Sequence, residues 1–87
     1  MAQILVVDDS ATVRNEVSSF FKGKGYDVAT ANDGKQGLGK IKTDASIKLV
    51  FCDVNMPIMD GLTMVEKVRN ELKNSKTAII MLTTESD

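Results

Sequence analysis

The chain has 87 residues, 11 of them basic and 12 acidic, for a net charge of −1. That length holds one domain, and the charge balance offers no electrostatic case for binding nucleic acid or a membrane surface. With no histidine and a single cysteine, it excludes a Ser-His-Asp triad, a His-ligated or multi-cysteine zinc site, an internal disulfide and a phosphohistidine on this chain. Hydrophobic residues make up 43%, enough for a packed core rather than disorder.

Gln3 to Asp8 is predicted as the first strand, through the apolar run Ile4-Leu5-Val6-Val7. That run ends at two aspartates, so the N-terminus reads neither as a signal peptide nor as a membrane span, and the expectation is a soluble, cytoplasmic protein. Ser10 or Asp9 can cap a helix. Val13, Val17, Phe20 and Phe21 then recur at helical spacing. Lys22, Gly23, Lys24 and Gly25 suit its C-terminal end. Tyr26 to Ala31 is predicted as a short second strand, and Asn32-Asp33-Gly34 as a turn and cap. The helix from Lys35 to Lys42 is anchored by Leu38 and Ile41. It is weakened by Gly37 and Gly39, each costing about 1 kcal/mol against Ala.

Thr43 to Ile47 is predicted as a loop and Lys48 to Asp53 as the third strand. Cys52 lies in this apolar run and reads as a core residue. Asn55-Met56-Pro57-Ile58-Met59-Asp60-Gly61 is a loop holding the only proline. Leu62, Val65, Val68, Arg69 and Leu72 mark a third helix, with Glu66, Lys67 and Glu71 outside. After the turn Asn74-Ser75-Lys76, Thr77 to Leu82 is a fourth apolar strand, ending at Thr83-Thr84.

This β-α-β-α-β-α-β alternation implies an α/β fold: a parallel sheet with helices on both faces. Strands one and three are the most apolar and belong at the centre. Strand two is more polar and belongs at an edge. With right-handed crossovers the expected order is 2-1-3-4. Asp8 and Asp9 follow strand one and Asp53 ends strand three, so all three reach the carboxyl edge of the sheet, at the switch point where ligands bind. Two like charges about 5 Å apart repel by roughly 3 kcal/mol at an effective dielectric near 20. A bound cation or a raised pKa is the usual remedy. Carboxylates without a histidine or cysteine partner suit a hard, oxygen-preferring ion, Mg2+ or Mn2+. A carboxylate beside such an ion can act as a nucleophile toward phosphorus. Thr83 and Thr84 are placed to supply hydroxyls to the phosphoryl oxygens.

With Val7-Asp8-Asp9-Ser10, the Asp53 strand end, the Asn55–Gly61 loop and Thr83, the chain resembles the receiver domain of two-component response regulators. The resemblance is to the single-domain chemotaxis type and runs over the whole chain. It implies a flavodoxin-like three-layer fold. It implies that Asp53 is the phosphoacceptor and that Asp9 and Asp53 bind Mg2+ by side chain. The Asn55 backbone carbonyl is then a third ligand, Asp8 acts through metal-bound water, and Thr83 is the switch hydroxyl. Pro57 and Gly61 shape the loop. The phosphoryl donor is a histidine kinase or a small phosphodonor, and the domain assists its own phosphotransfer and dephosphorylation without being an enzyme in the ordinary sense.

By the same resemblance, a full receiver continues past Thr83 with helix 4, strand 5 ending in a lysine, and helix 5. Residues 1–87 therefore read as a receiver truncated after strand four, lacking the usual output surface and impaired in phosphotransfer. The apolar strand Ala78 to Leu82, left as an edge, is expected to carry a homodimer or larger assembly. Other functions remain in view. A haloacid-dehalogenase-type phosphatase also uses an aspartyl nucleophile, but wants an aspartate two residues on, where this chain has Asn55. A nucleotide- or flavin-binding module lacks its glycine-rich phosphate cradle after strand one. An inert, self-associating fold fragment is the last reading.

Overall fold

The alternation of apolar runs and amphipathic stretches becomes four strands and three helices in the computed structural model, which describes residues 3–53, 59–72 and 76–82. The elements are β1 (Ile4–Val7), α1 (Ala11–Gly23), β2 (Val28–Ala31), α2 (Gly34–Thr43), β3 (Leu49–Asp53), α3 (Gly61–Asn70) and β4 (Ala78–Leu82). All strand pairs are parallel, in the order β2-β1-β3-β4. The expected order therefore holds, and each strand begins one or two residues later than its sequence pattern suggests.

Each helix starts at a side chain that accepts an otherwise orphaned backbone N–H. Ser10 Oγ accepts from Val13 N, Asp33 Oδ1 from Gln36 N, and Asp60 Oδ1 from Thr63 N. Of the two expected caps for the first helix, Ser10 is the one used.

In a parallel pair, residues opposite one another share a face of the sheet. Register places Leu5 beside Val50 and Val7 beside Cys52, and Ile79 and Met81 continue the row. This face packs against Ile41, Met64 and Val68 to form the main core. Each such side chain, fully buried, contributes about 1.5–3 kcal/mol. Gly37 lets α2 lie close here: a Cβ on it would sit 2.9 Å from both Met64 Sδ and Val7 Cγ2. The sequence shows only a weak helix former at this position.

The opposite face is covered unevenly. Helix α1 lies over β1 and β2, so Ile4 and Val6 are buried. Among the described residues the face is open over β3 and β4: Leu49 and Phe51 are half-buried, and Ile80 is 44% exposed.

Two helix faces differ from the expected ones. In α1 the most buried residue is Ser18, and Phe20 is 59% exposed. The helix seats on the sheet through Val17, Ser18 and Phe21, and the Phe20 ring meets Phe21 edge-on from the side. In α3, Leu62 is 62% exposed while Met64 and Val68 are fully buried. Leu72 lies beyond the end of the helix but packs against the core.

Candidate functional site

Parallel register decides where the carboxylates go. Val7 lies opposite Cys52, so the next residues, Asp8 and Asp53, come level at the carboxyl edge of the two central strands. Asp9 follows at the surface. One carboxylate oxygen from each of Asp8, Asp9 and Asp53 can be chosen so that all lie within 4.8 Å of one another. Asp8 and Asp53 are buried and Asp9 is exposed. The cluster thus has a buried floor and a solvent side, and the three carboxylates expected from the sequence are brought together.

The Asp8 carboxyl is held unequally. Oδ1 accepts the Ser10 backbone N–H at 2.8 Å. Oδ2 is buried with no hydrogen-bond partner. Burial pushes the Asp8 pKa above the ordinary carboxylate value; the Ser10 N–H pulls it back, and the Asp53 and Asp9 charges add to the rise. A buried oxygen without a donor, on a carboxyl gathered with two others, is what a cation would relieve. The donor set is all oxygen, which fits Mg2+ or Mn2+ and gives no reason to invoke zinc or copper.

The surrounding backbone is also fixed. Arg14 Nη1 donates to the Asp8 carbonyl at 2.7 Å, tying the first turn of α1 to the end of β1. Sequence reading misses Arg14 because its acceptor is a backbone oxygen, which leaves no residue-type signal. Asp60 reads in the sequence only as a loop residue, yet it caps α3; an aspartate three residues before Thr63 is the available cue. Gly61, the first residue of α3, lies so close to β3 that a Cβ on it would collide with the Asp53 carbonyl oxygen. Any other residue there would push α3 away from the site. Asn55, Pro57 and Thr83, the other expected members of the site and its loop, lie outside the described residues.

The response regulator receiver domain model matches residues 4–87. The chain belongs to that family. Among its relatives is the chemotaxis protein CheY1 of Helicobacter pylori, 40% identical over 84 residues, which are 95% of this chain and 68% of that protein. Among solved structures, the chemotaxis response regulator CheY4 of Vibrio cholerae superposes with a TM-score of 0.88 at 41% identity, covering 100% of this chain and 72% of that one. The response regulator TrrA of Thermotoga maritima, solved in complex with Mg(2+)-BeF, gives a TM-score of 0.84 at 34% identity, covering 99% and 72%. The fold is the flavodoxin-like one of chemotaxis receivers, and the chain is of the two-component signalling class. A receiver is not a classical enzyme, and the phosphatase reading is not favoured.

Proposed function

We propose that this domain accepts a phosphoryl group on Asp53, with Mg2+ or Mn2+ held by Asp9, Asp53 and the Asn55 carbonyl, and with Asp8 acting through a bound water. The observation that carries this reading is the gathered trio Asp8, Asp9 and Asp53 with its unpartnered buried oxygen. The T. maritima relative solved with Mg(2+)-BeF supports it.

The chemistry follows from the arrangement. When bound, the divalent ion neutralises the carboxylates and draws charge from the phosphoryl oxygens. Asp53 attacks the phosphorus of a phosphohistidine on a histidine kinase, or of a small acyl phosphate. An O–P bond forms as the P–N or P–O bond breaks, and the bonding pair leaves on the imidazole or the carboxylate. Asp8, fixed through Ser10 and Arg14, keeps the floor of the site in place. Thr83, the next residue in sequence after Leu82, supplies a hydroxyl to a phosphoryl oxygen. The setting is cytoplasmic, where such kinases present their phosphohistidine.

Acetyl phosphate with Mg2+, followed by intact mass, tests the reading. The expected result is slow uptake of at most one phosphoryl group per chain, absent in Asp53→Asn and absent when the divalent ion is chelated. Equal labelling of Asp53→Asn, or labelling indifferent to chelation, overturns it.

A further inference from the structure

The first turn of α2 disposes of its N–H groups one by one. Gly37 N makes the first helical bond, to the Asp33 carbonyl at 3.0 Å. Gln36 N donates to Asp33 Oδ1 at 2.8 Å. Lys35 is exposed, so its N–H can face water. Gly34 is buried, and its N–H donates outside the helix, to the Met59 carbonyl at 3.0 Å. The approach admits no side chain: a Cβ on Gly34 would collide with that carbonyl oxygen. Gly34 does not have a positive φ, so closeness, not backbone angle, demands glycine here.

Three residues earlier, the Ala31 carbonyl accepts the Asp8 N–H at 3.1 Å. The turn Ala31-Asn32-Asp33-Gly34 therefore runs from one acid of the trio to the connection that follows β3. Its shape is held by an exchange of the capping-box kind. Asn32 N donates to Gln36 Oε1 at 3.3 Å, while the buried Asp33 takes the Gln36 N–H. We propose that this turn is a strap that sets where the β3–α3 connection lies relative to Asp8 and Asp9, and that Gly34 is a positioning residue for the divalent ion. The inference rests on the metal reading above.

Sheet pairing fixes Asp53, level with Asp8. The connection after it has its far anchor at Met59, immediately before Asp60 caps α3. Asn55, proposed above as a carbonyl ligand, lies in sequence between these two anchors. A backbone carbonyl cannot be re-aimed by a change of rotamer, so its place depends on both ends of its segment. Gly34 supplies no ligand atom and acts through Met59. A methyl on Gly34 must displace either α2 or Met59. Helix α2 is tied to the end of β2 by the Gln36 exchange and seated on the core through Ile41. The displacement therefore falls on Met59 and the residues before it. A role in packing alone would lower stability and leave the affinity for the ion unchanged.

Mn2+ binding by electron paramagnetic resonance on the full 87-residue chain, beside thermal unfolding in chelator, separates the two. Gly34→Ala is expected to weaken Mn2+ binding about tenfold or more, the usual effect of losing a group that holds a ligand in place. Val68→Ala, a fully buried truncation toward the far end of α3, should lower Tm yet keep the Mn2+ affinity within about twofold. The unaltered chain gives a second readout that needs no variant to fold. With saturating Mg2+ the Gly34 N–H should exchange with solvent more slowly than in chelator, and by a larger factor than the Gly39 N–H of the same helix. Equal Mn2+ binding by wild type and Gly34→Ala overturns the proposal and leaves the metal reading intact. So does an equal loss in Gly34→Ala and Val68→Ala, or equal slowing at Gly34 and Gly39. A wild type that binds no Mn2+ overturns the metal reading, and the proposal with it.

Discussion

Replacing Asp8 by asparagine should make the metal-free protein more stable and its metal binding worse. The two buried carboxylates, Asp8 and Asp53, place oxygens within 4.8 Å, where like charges repel by about 3 kcal/mol at an effective dielectric of roughly 20. The exposed Asp9 adds less, because solvent screens it. The asparagine side chain of Asp8→Asn keeps an oxygen for the Ser10 N–H, so the loop should be undisturbed. Its amide also gives the floor of the site a donor where Asp8 Oδ2 has none. A net gain of about 2 kcal/mol corresponds to roughly 8–16 °C in Tm for a domain of this size. The assay is thermal unfolding by circular dichroism in chelator and again in millimolar Mg2+. The wild type should gain stability with the ion by mass action, and Asp8→Asn should gain little. The sign with pH follows from the same cause. The folded pKa of Asp8 lies above the unfolded one, so its charge opposes folding at neutral pH, and that penalty is relieved as pH falls through the folded pKa. The gain from Asp8→Asn should therefore shrink on acidification. A lower Tm for Asp8→Asn in chelator, or an undiminished response to Mg2+, would refute the reasoning.

Two of the three glycines of α2, Gly37 and Gly39, should respond oppositely. Gly37→Ala puts a methyl 2.9 Å from Met64 Sδ and Val7 Cγ2 and should cost about 1–3 kcal/mol by overpacking. Gly39→Ala meets nothing within 4 Å and should gain roughly 0.5–1 kcal/mol; urea unfolding separates them, and equal effects would contradict the packing. Burial, followed by the charges of Asp53, Asp8 and Asp60, pushes the Cys52 thiol up to about 12, and the thiol donates to the Asp53 carbonyl. It should therefore resist a disulfide reagent at pH 8 until denaturant is added; prompt labelling of the native protein counts against this. Since the thiol ionises only when unfolded between its ordinary value of 9.0 and about 12, stability should fall as pH rises through that window.

What was legible in the sequence is tied to how parallel sheets are built. Ile4-Leu5-Val6-Val7 is apolar without alternation because both faces of a central strand meet other groups; in Leu49-Val50-Phe51-Cys52, Val50 and Cys52 are buried while Leu49 and Phe51 are half-buried. The residue after each run is delivered to the carboxyl edge, and parallel pairing brings those residues level. Strand content, order and the carboxylate trio therefore follow from one pattern. Helix faces follow less directly. Periodicity defines a stripe around a helix, but the sheet chooses which part of that stripe it touches. Phe20 and Leu62 lie at the margin of their stripes and end exposed, while Ser18, where α1 seats on the sheet, is buried because a small residue allows close approach. Arg14 and Gly61 act on backbone carbonyls, of Asp8 and Asp53 respectively. A carbonyl is common to every residue, so no pairing of residue types announces such a contact. The acids that define the site are thus written in side chains. The parts that hold them in position are written in main-chain contacts, which become visible only when the elements are assembled in three dimensions.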